Sequence, residues 1–193
     1  MSNESYVKEY LKDKGLNDMA IAGIMGNIQA ESGFDSSAEN SSSGAYGLFQ
    51  WLGSRKKSLK KFAAENGADM SDIETQMDFF WNELQTTEKS TYKAMTGDLY
   101  DSPEQYATAF EKLFERSGGA LLEKRQNYAQ AFYSGDMAED VETGNTSPGN
   151  KMKNASELVW WGDIVKVVLI FGLIVGGVVL LAVSAKTTAW EVL

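Results

Sequence analysis

The sequence AIAGIMGNIQAESGF at residues 20–34 carries the clearest structural pattern in the chain. Its larger apolar residues recur every three or four positions, the spacing that places side chains on one face of a helix. These residues are Ile21, Ile24, Met25 and Ile28. The spacing predicts a helix that begins near Asn17 or Asp18 and ends near Ser32. A second row on this helix consists of small residues, which would let another helix approach closely: Ala22, Gly26 and Ala30.

Glu31 continues the apolar row, which places a carboxylate on the core-facing side at the C-terminal end of this helix. Burial disfavours a charged carboxylate, and the partial negative charge of a helix C-terminus acts in the same direction. We therefore expect this carboxyl to favour its protonated form, as a general acid requires. The alternative is a Glu31 that pairs with Arg116 or Arg125 or reaches solvent, and spacing alone leaves both open.

Helical spacing also predicts the other secondary structure up to about residue 135. A first helix should run from about Asn3 to Lys14. Ser54 is expected to cap a basic helix, Ser71 and Glu74 to form a capping box, and Ser102 to precede a helix that begins with a proline. Two more helices are expected, at about residues 89–95 and from about Leu122 to near Gly135.

The helical spacing is interrupted from Gly33 to Trp51, where serines and glycines typical of turns precede an aromatic and apolar run. We predict a short β-hairpin or irregular sheet in this segment. The expected fold class is therefore α+β, mostly α, for a compact domain over residues 1–135.

Composition excludes several classes of chemistry. The 193 residues include no Cys and no His, which rules out disulfides, thiolate metal sites, Ser–His triads and zinc bound by histidine. The 18 Lys and Arg against 27 Asp and Glu give a net charge of −9, which argues against nucleic acid as the main partner. We expect no metal and no other cofactor.

The C-terminal part has a different composition. Residues 136–158 are polar and acidic, and we expect a flexible linker there. Val167–Ala185 is an uncharged apolar run long enough to cross a bilayer, within a predicted transmembrane helix at residues 159–186 and before a short tail at 187–193. Gly172 and Gly176 form a GxxxG spacing that could pair two such helices. The N-terminus has no apolar region typical of a signal peptide.

Two motifs, GNIQAESGFD and SSSGAYGLFQW, resemble the lysozyme-like superfamily and specifically its phage-tail lysozyme branch. The resemblance covers most of residues 15–133. It implies a lysozyme-like fold and an enzyme that cleaves peptidoglycan glycan strands. It implies that Glu31 is the catalytic acid and that Ser32 helps to orient its carboxyl group. The loop next to the substrate would contain Gly44, Tyr46, Gly47, Leu48, Phe49 and Gln50. Tyr46 and Trp51 could stack on sugars, and for Trp51 a place in the core is an equal alternative.

Two reactions are compatible with this resemblance. A muramidase uses water, usually with a second carboxylate. A lytic transglycosylase lets the muramic acid C6 hydroxyl attack, leaves a 1,6-anhydro end and needs one glutamate. The sequence identifies no second carboxylate, because most of the candidates, Asp35, Glu39, Asp78 and Glu83, look like solvated or capping charges.

The resemblance also suggests where the protein acts. We expect a virion-associated enzyme that opens the wall at phage entry, with its apolar helix in an internal viral membrane or the host membrane. A bacterial membrane-anchored enzyme of a conjugation or secretion apparatus is a second possibility. A non-catalytic glycan-binding or structural membrane protein is an alternative of another class.

Overall fold

The computed structural model describes residues 1–136, which fold into seven α-helices and one π-helical turn. The elements in chain order are α1 (Asn3–Asp13), α2 (Asp18–Glu31), α3 (Gly53–Glu65), α4 (Ile73–Thr86), α5 (Lys89–Thr96), α6 (Pro103–Phe110), the π-turn (Glu111–Glu115) and α7 (Leu122–Ser134). The prediction of a mostly helical domain is confirmed for these residues.

The central helix is α2, because every residue from Ala20 to Ile28 is buried. Helices α6 and α7 pack directly against it. A Cβ added at Gly26 would lie 2.5 Å from the carbonyl oxygen of Arg125, and one added at Gly23 would lie 2.6 Å from Cβ of Tyr106. The close approach predicted for the small-residue row is therefore confirmed at Gly26, where α7 crosses.

An aromatic cluster holds the segment after α2 against the later helices. The ring of Phe49 stacks on that of Phe80 with centroids 4.5 Å apart, and it also contacts Phe110 and Phe114. All four rings are almost completely buried. Phe49 therefore anchors the middle of an irregular loop in the hydrophobic core.

The predicted helix ends are partly confirmed. The side chain of Asn17 accepts a 2.8 Å hydrogen bond from the backbone N–H of Ala20 at the start of α2. Ser102 caps α6, which begins at Pro103 as predicted. Two predicted caps are wrong: α3 has no side-chain cap, and the hydroxyl of Ser71 donates to Asp69 at 2.6 Å instead of capping α4.

Residues 33–52 contain two isolated antiparallel bridges where we expected a hairpin or irregular sheet. Tyr46 pairs with Glu39 on one side and with Trp51 on the other. The chain cannot continue either ladder, because positive φ angles at Gly44, Gly47 and Gln50 turn it sharply. The result is a compact loop.

Within residues 1–136, no helix has both the length and the apolar character needed to cross a membrane. The predicted linker, the predicted span Val167–Ala185 and the pair Gly172 and Gly176 lie outside the described residues.

Candidate active site

Glu31 is the last residue of α2, and its side chain is 19% exposed. Its Oε1 accepts a 2.6 Å hydrogen bond from Nη2 of Arg125. Of the alternatives that spacing left open, the structure therefore contains the one in which Glu31 pairs with Arg125. Arg116 instead pairs with Glu88.

Arg125 holds the carboxylate from a fixed position. The residue is 1% exposed, and its other nitrogens donate to Oδ1 of Asn27 at 3.1 Å and to the carbonyl of Ala120 at 3.2 Å. Only Nη2 donates to Glu31, so the contact is single and not a two-pronged fork. Among residues 1–136, Oε2 of Glu31 accepts no hydrogen bond, and the side chain as a whole is partly exposed.

Ser32 connects the end of α2 to the loop after it. Its hydroxyl donates to the carbonyl oxygen of Leu48 at 3.0 Å. The structure gives this hydroxyl no hydrogen bond to the Glu31 carboxyl, so its visible role is to hold the segment around Leu48 against the helix end. The orientation of Glu31 by Ser32 stays a prediction.

Gln76 on α4 fixes the same loop from the opposite side. Its amide oxygen accepts from the backbone N–H of Leu48 at 2.9 Å, and its amide nitrogen donates to the carbonyls of Ser36 and Met70 at 2.6 and 2.8 Å. A Cβ at Gly47 would lie 2.6 Å from the Gln76 amide oxygen, so only glycine leaves room for this clamp. Sequence reasoning did not predict this role for Gln76.

The remaining loop residues differ in accessibility. Gly44 and Tyr46 are half-buried, and Nζ of Lys56 donates to the Gly44 carbonyl at 2.9 Å and lies 5.2 Å from the Tyr46 ring. Gln50 is half-buried and its amide donates to the Gly47 carbonyl at 3.1 Å. Gly44, Tyr46 and Gln50 remain available to a ligand, whereas Gly47 is buried under Gln76.

Trp51 fills the core instead of presenting a face to a sugar, since it is 1% exposed. Its indole N–H donates to Oε2 of Glu83 at 2.8 Å. Glu83 also accepts from Nε and Nη2 of Arg55, both at 2.8 Å, and is buried. Glu83 is therefore the exception among the four candidate carboxylates, most of which we expected to be solvated or capping charges.

The other candidate second carboxylates are exposed and occupied. Asp35 accepts from the hydroxyl and the backbone N–H of Ser37, and these hydrogen bonds lower its pKa. Glu39 pairs with Lys56 at 2.7 Å, and Asp78 accepts from the Tyr10 hydroxyl at 2.8 Å. These contacts agree with the interpretation of the three as surface charges.

Sequence reasoning missed a carboxylate in the interior, Glu115, at the end of the π-turn. Its Oε1 is buried and lacks any hydrogen-bond partner in the described residues. Burial, and then the negative charge of Glu31, raise the pKa of Glu115 well above its ordinary value. The signal in the sequence is weak: Glu115 precedes Arg116, Ser117 and two glycines that interrupt the helical spacing.

Three pockets among the described residues have volumes of about 310, 450 and 680 Å³, and Glu31 lines none of these three. The 680 Å³ groove borders the loop at Gly44 and is lined by Lys56, Lys57 and Lys60 on α3. The lysine-lined side of this groove would attract anionic groups of a cell-wall polymer. Within residues 1–136, no three carboxylates lie close enough together to hold a metal ion.

A family model described as phage tail lysozyme matches residues 2–135 of the chain. No curated protein sequence matches the chain. The matched segment contains α1 to α7 and therefore Glu31, Arg125 and the loop fixed by Gln76.

Proposed function

The chain belongs to the phage tail lysozyme family, and from that membership we propose that it is a muramidase that cleaves the bond from N-acetylmuramic acid to N-acetylglucosamine. The family supports a lysozyme-like enzyme that degrades peptidoglycan. The specific bond and the residues that act on it are our proposal.

The observation that carries the proposal is the asymmetric environment of the Glu31 carboxyl. Arg125 holds Oε1, while Oε2 accepts no hydrogen bond among residues 1–136, and the loop that Ser32 and Gln76 hold in place begins directly after Glu31. In the proposed reaction, Oε2 donates a proton to the glycosidic oxygen as the C1–O bond breaks. Water then adds at C1 and gives its proton back to the Glu31 carboxylate, which yields a reducing end and restores the acid.

A lytic transglycosylase is the second candidate. Muramidases usually use another carboxylate to activate water, yet Asp35, Glu39 and Asp78 are surface charges and both oxygens of Glu83 are occupied. Attack by the C6 hydroxyl of the same muramic acid residue needs no such group. The product ends distinguish the two reactions.

The test is incubation of the full chain, purified in detergent, with isolated peptidoglycan, followed by mass analysis of the soluble fragments. Reducing muramic acid ends support the muramidase, and 1,6-anhydro ends support the transglycosylase. Wall binding without fragments supports the non-catalytic alternative and ends the proposal. Glu31→Gln should abolish release while keeping the hydrogen bond to Arg125, whereas the same change at the exposed Glu123 should have no effect.

We also propose that the protein is carried by the phage particle and acts during entry, with Val167–Ala185 in an internal viral or host membrane. The support is family membership together with the uncharged apolar run. Detection of the chain in purified particles would support this location. Its presence only in membranes of uninfected cells would favour the bacterial alternative.

A further inference from the structure

The segment before α7, residues 116–121, has a backbone shape that is unfavourable for most side chains. Arg116 and Leu121 have φ angles of 55° and 56°, in the left-handed region that residues other than glycine rarely adopt. Gly118 and Gly119 have positive φ angles as well. Such a segment keeps one conformation only where contacts with the rest of the protein fix it. The side chain of Leu121 does not make such a contact, because Leu121 is 54% exposed.

The segment before α7 contributes directly to the position of Arg125. The carbonyl oxygen of Ala120 accepts a 3.2 Å hydrogen bond from Nε of Arg125. Nη1 of the same guanidinium donates to Oδ1 of Asn27 at 3.1 Å, and Nη2 donates to Oε1 of Glu31 at 2.6 Å. A guanidinium is planar and its donors have a fixed geometry, so its partners set its direction. A shift of Ala120 would therefore turn Arg125 and move the carboxyl that Arg125 holds.

The contact that fixes the segment comes from Glu111, at the start of the π-turn. Glu111 is 2% exposed. Its Oε1 accepts a 2.7 Å hydrogen bond from the hydroxyl of Ser117 and a 2.9 Å hydrogen bond from the backbone N–H of Gly119. Hydrogen bonds to a charged acceptor are shorter and stronger than those to a neutral one. One buried carboxylate thus holds the residues on both sides of Gly118, next to Ala120.

The charges around the segment agree with this arrangement. Burial opposes ionisation of Glu111, but the hydrogen bonds from Gly119 and Ser117 and the positive charge of Arg125 lower its pKa overall. Glu111 is therefore an anion near the buried guanidinium. Arg116, the cation within the segment, pairs with Glu88 and so does not compete for Glu111.

We propose that Glu111 is a positioning residue, which holds the segment before α7 so that Ala120 orients Arg125 and Arg125 holds the carboxyl of Glu31. Among the described residues Glu111 forms no hydrogen bond with Glu31. Its influence passes through two hydrogen bonds, from Arg125 to Ala120 and from Arg125 to Glu31. The consequence for catalysis rests on the proposed function, because it requires Glu31 to be the acid. A catalytic group misplaced by about 1 Å can lower the rate about a hundredfold.

The first experiment does not depend on activity. NMR follows the hydrogen exchange of the Arg125 Nε–H in the full chain in detergent, and the signal is assigned by its loss in Arg125→Lys. We expect slow exchange in the wild type and in Glu111→Gln, which keeps an oxygen acceptor. Exchange should be at least about tenfold faster in Glu111→Ala, which removes both hydrogen bonds. Fast exchange in the wild type, or slow exchange in Glu111→Ala, overturns the proposal.

The second experiment measures kcat and KM for peptidoglycan fragments. We expect Glu111→Ala to lower kcat about ten- to a hundredfold with KM changed less than about twofold, because the loop at Gly44 keeps its contacts. Glu111→Gln should restore most of kcat. The control is Ser102→Ala, which removes the cap of α6 and lowers stability without touching this network. Its kcat should equal that of the wild type.

Three kinetic outcomes would overturn the positioning role. These are an unchanged kcat in Glu111→Ala, a loss that Glu111→Gln does not restore, and an equal loss in Ser102→Ala. If the wild type cleaves nothing but the exchange pattern is as expected, the proposed function fails and the control of Arg125 by Glu111 stands. Should Glu111→Ala not fold, Ser117→Ala takes its place. It removes one of the two hydrogen bonds, and unchanged exchange in it overturns the proposal.

Discussion

The indole N–H of Trp51 donates to the same carboxylate oxygen of Glu83 that accepts from Nη2 of Arg55, each at 2.8 Å. Trp51 ends the loop after α2, Glu83 lies on α4, and Arg55 is near the start of α3. One buried carboxylate thus connects the loop to two helices. Arg55 also lies 4.2 Å from the centre of the Phe114 ring, one residue before Glu115.

The first prediction is that Glu83→Gln destabilises the domain. The amide keeps the shape of the carboxylate but leaves the guanidinium of Arg55 without its counter-charge. Because the Arg55 side chain is 25% exposed, we expect a loss smaller than that for a fully buried broken pair, about 2–3 kcal/mol, measured by urea unfolding. The exposed pair of Lys61 and Glu65 is the matched control, and Glu65→Gln should change little. Equal effects of the two replacements would contradict this role of Glu83.

The second prediction concerns the helix crossing at Gly26. An alanine Cβ would lie 2.5 Å from the Arg125 carbonyl oxygen and 2.7 Å from the Ala129 nitrogen, both of them backbone atoms. Helices α2 and α7 would have to separate, which costs about 1–3 kcal/mol after the gain in helix propensity. Gly67→Ala is the control variant. Gly67 has a positive φ and open space around it, so an alanine there strains the backbone but overlaps no other atom. The melting temperature of Gly26→Ala should be lower than that of Gly67→Ala. The reverse order would mean that α2 and α7 can separate at little cost.

The third prediction is that Gln76→Glu loosens the loop. The replacement keeps the acceptor for the Leu48 N–H but turns an oxygen toward the carbonyls of Ser36 and Met70, which now receive hydrogen bonds. We expect a loss of about 2–3 kcal/mol and faster amide hydrogen exchange in residues 36–50. Gln85→Glu is the control, since Gln85 is exposed on the same helix. Unchanged exchange in the loop would show that Gln76 is not its clamp.

Local sequence patterns were sufficient for several features. The spacing of Ile21, Ile24 and Ile28 predicted α2 and placed Glu31 at its end, and Ser102 with Pro103 predicted the start of α6. These features depend on contacts between residues within about one helical turn. The same patterns failed where two local partners compete, as at Ser71, whose hydroxyl binds Asp69.

The surroundings of Glu31 depend on contacts that are distant in sequence. Glu31 and Arg125 are 94 residues apart, so spacing on α2 could name Arg125 as an alternative partner but could not choose it. The sequence left open whether Trp51 stacks on a sugar or packs in the core. In the structure its indole N–H donates to Glu83 on α4, which is 32 residues away in sequence. Glu115 was not predicted, because a π-turn shifts the side chains that follow it away from the helical spacing.

The last prediction is that Glu115 makes stability fall as pH rises. Its pKa in the folded protein is raised above the ordinary value of 4.5, so the folded state binds more protons than the unfolded state above that pH. The stabilisation is complete below pH 4.5 and is lost as pH rises toward the folded pKa, with a slope of at most about 1.4 kcal/mol per pH unit.

Glu111 acts in the opposite direction and in another window. The pKa of Glu111 is lowered from its ordinary value of 4.5, so the stability that Glu111 contributes is lost only below that pH. Unfolding measured from pH 5 upward therefore reports the groups whose pKa is raised. Burial also raises the pKa of Glu4, but Glu4 is present in every variant and cancels in the difference. The difference in unfolding free energy between wild type and Glu115→Gln should therefore change with pH, whereas that between wild type and Glu123→Gln should stay flat. A flat difference for Glu115→Gln would mean that this carboxyl ionises in the fold as easily as in the unfolded chain.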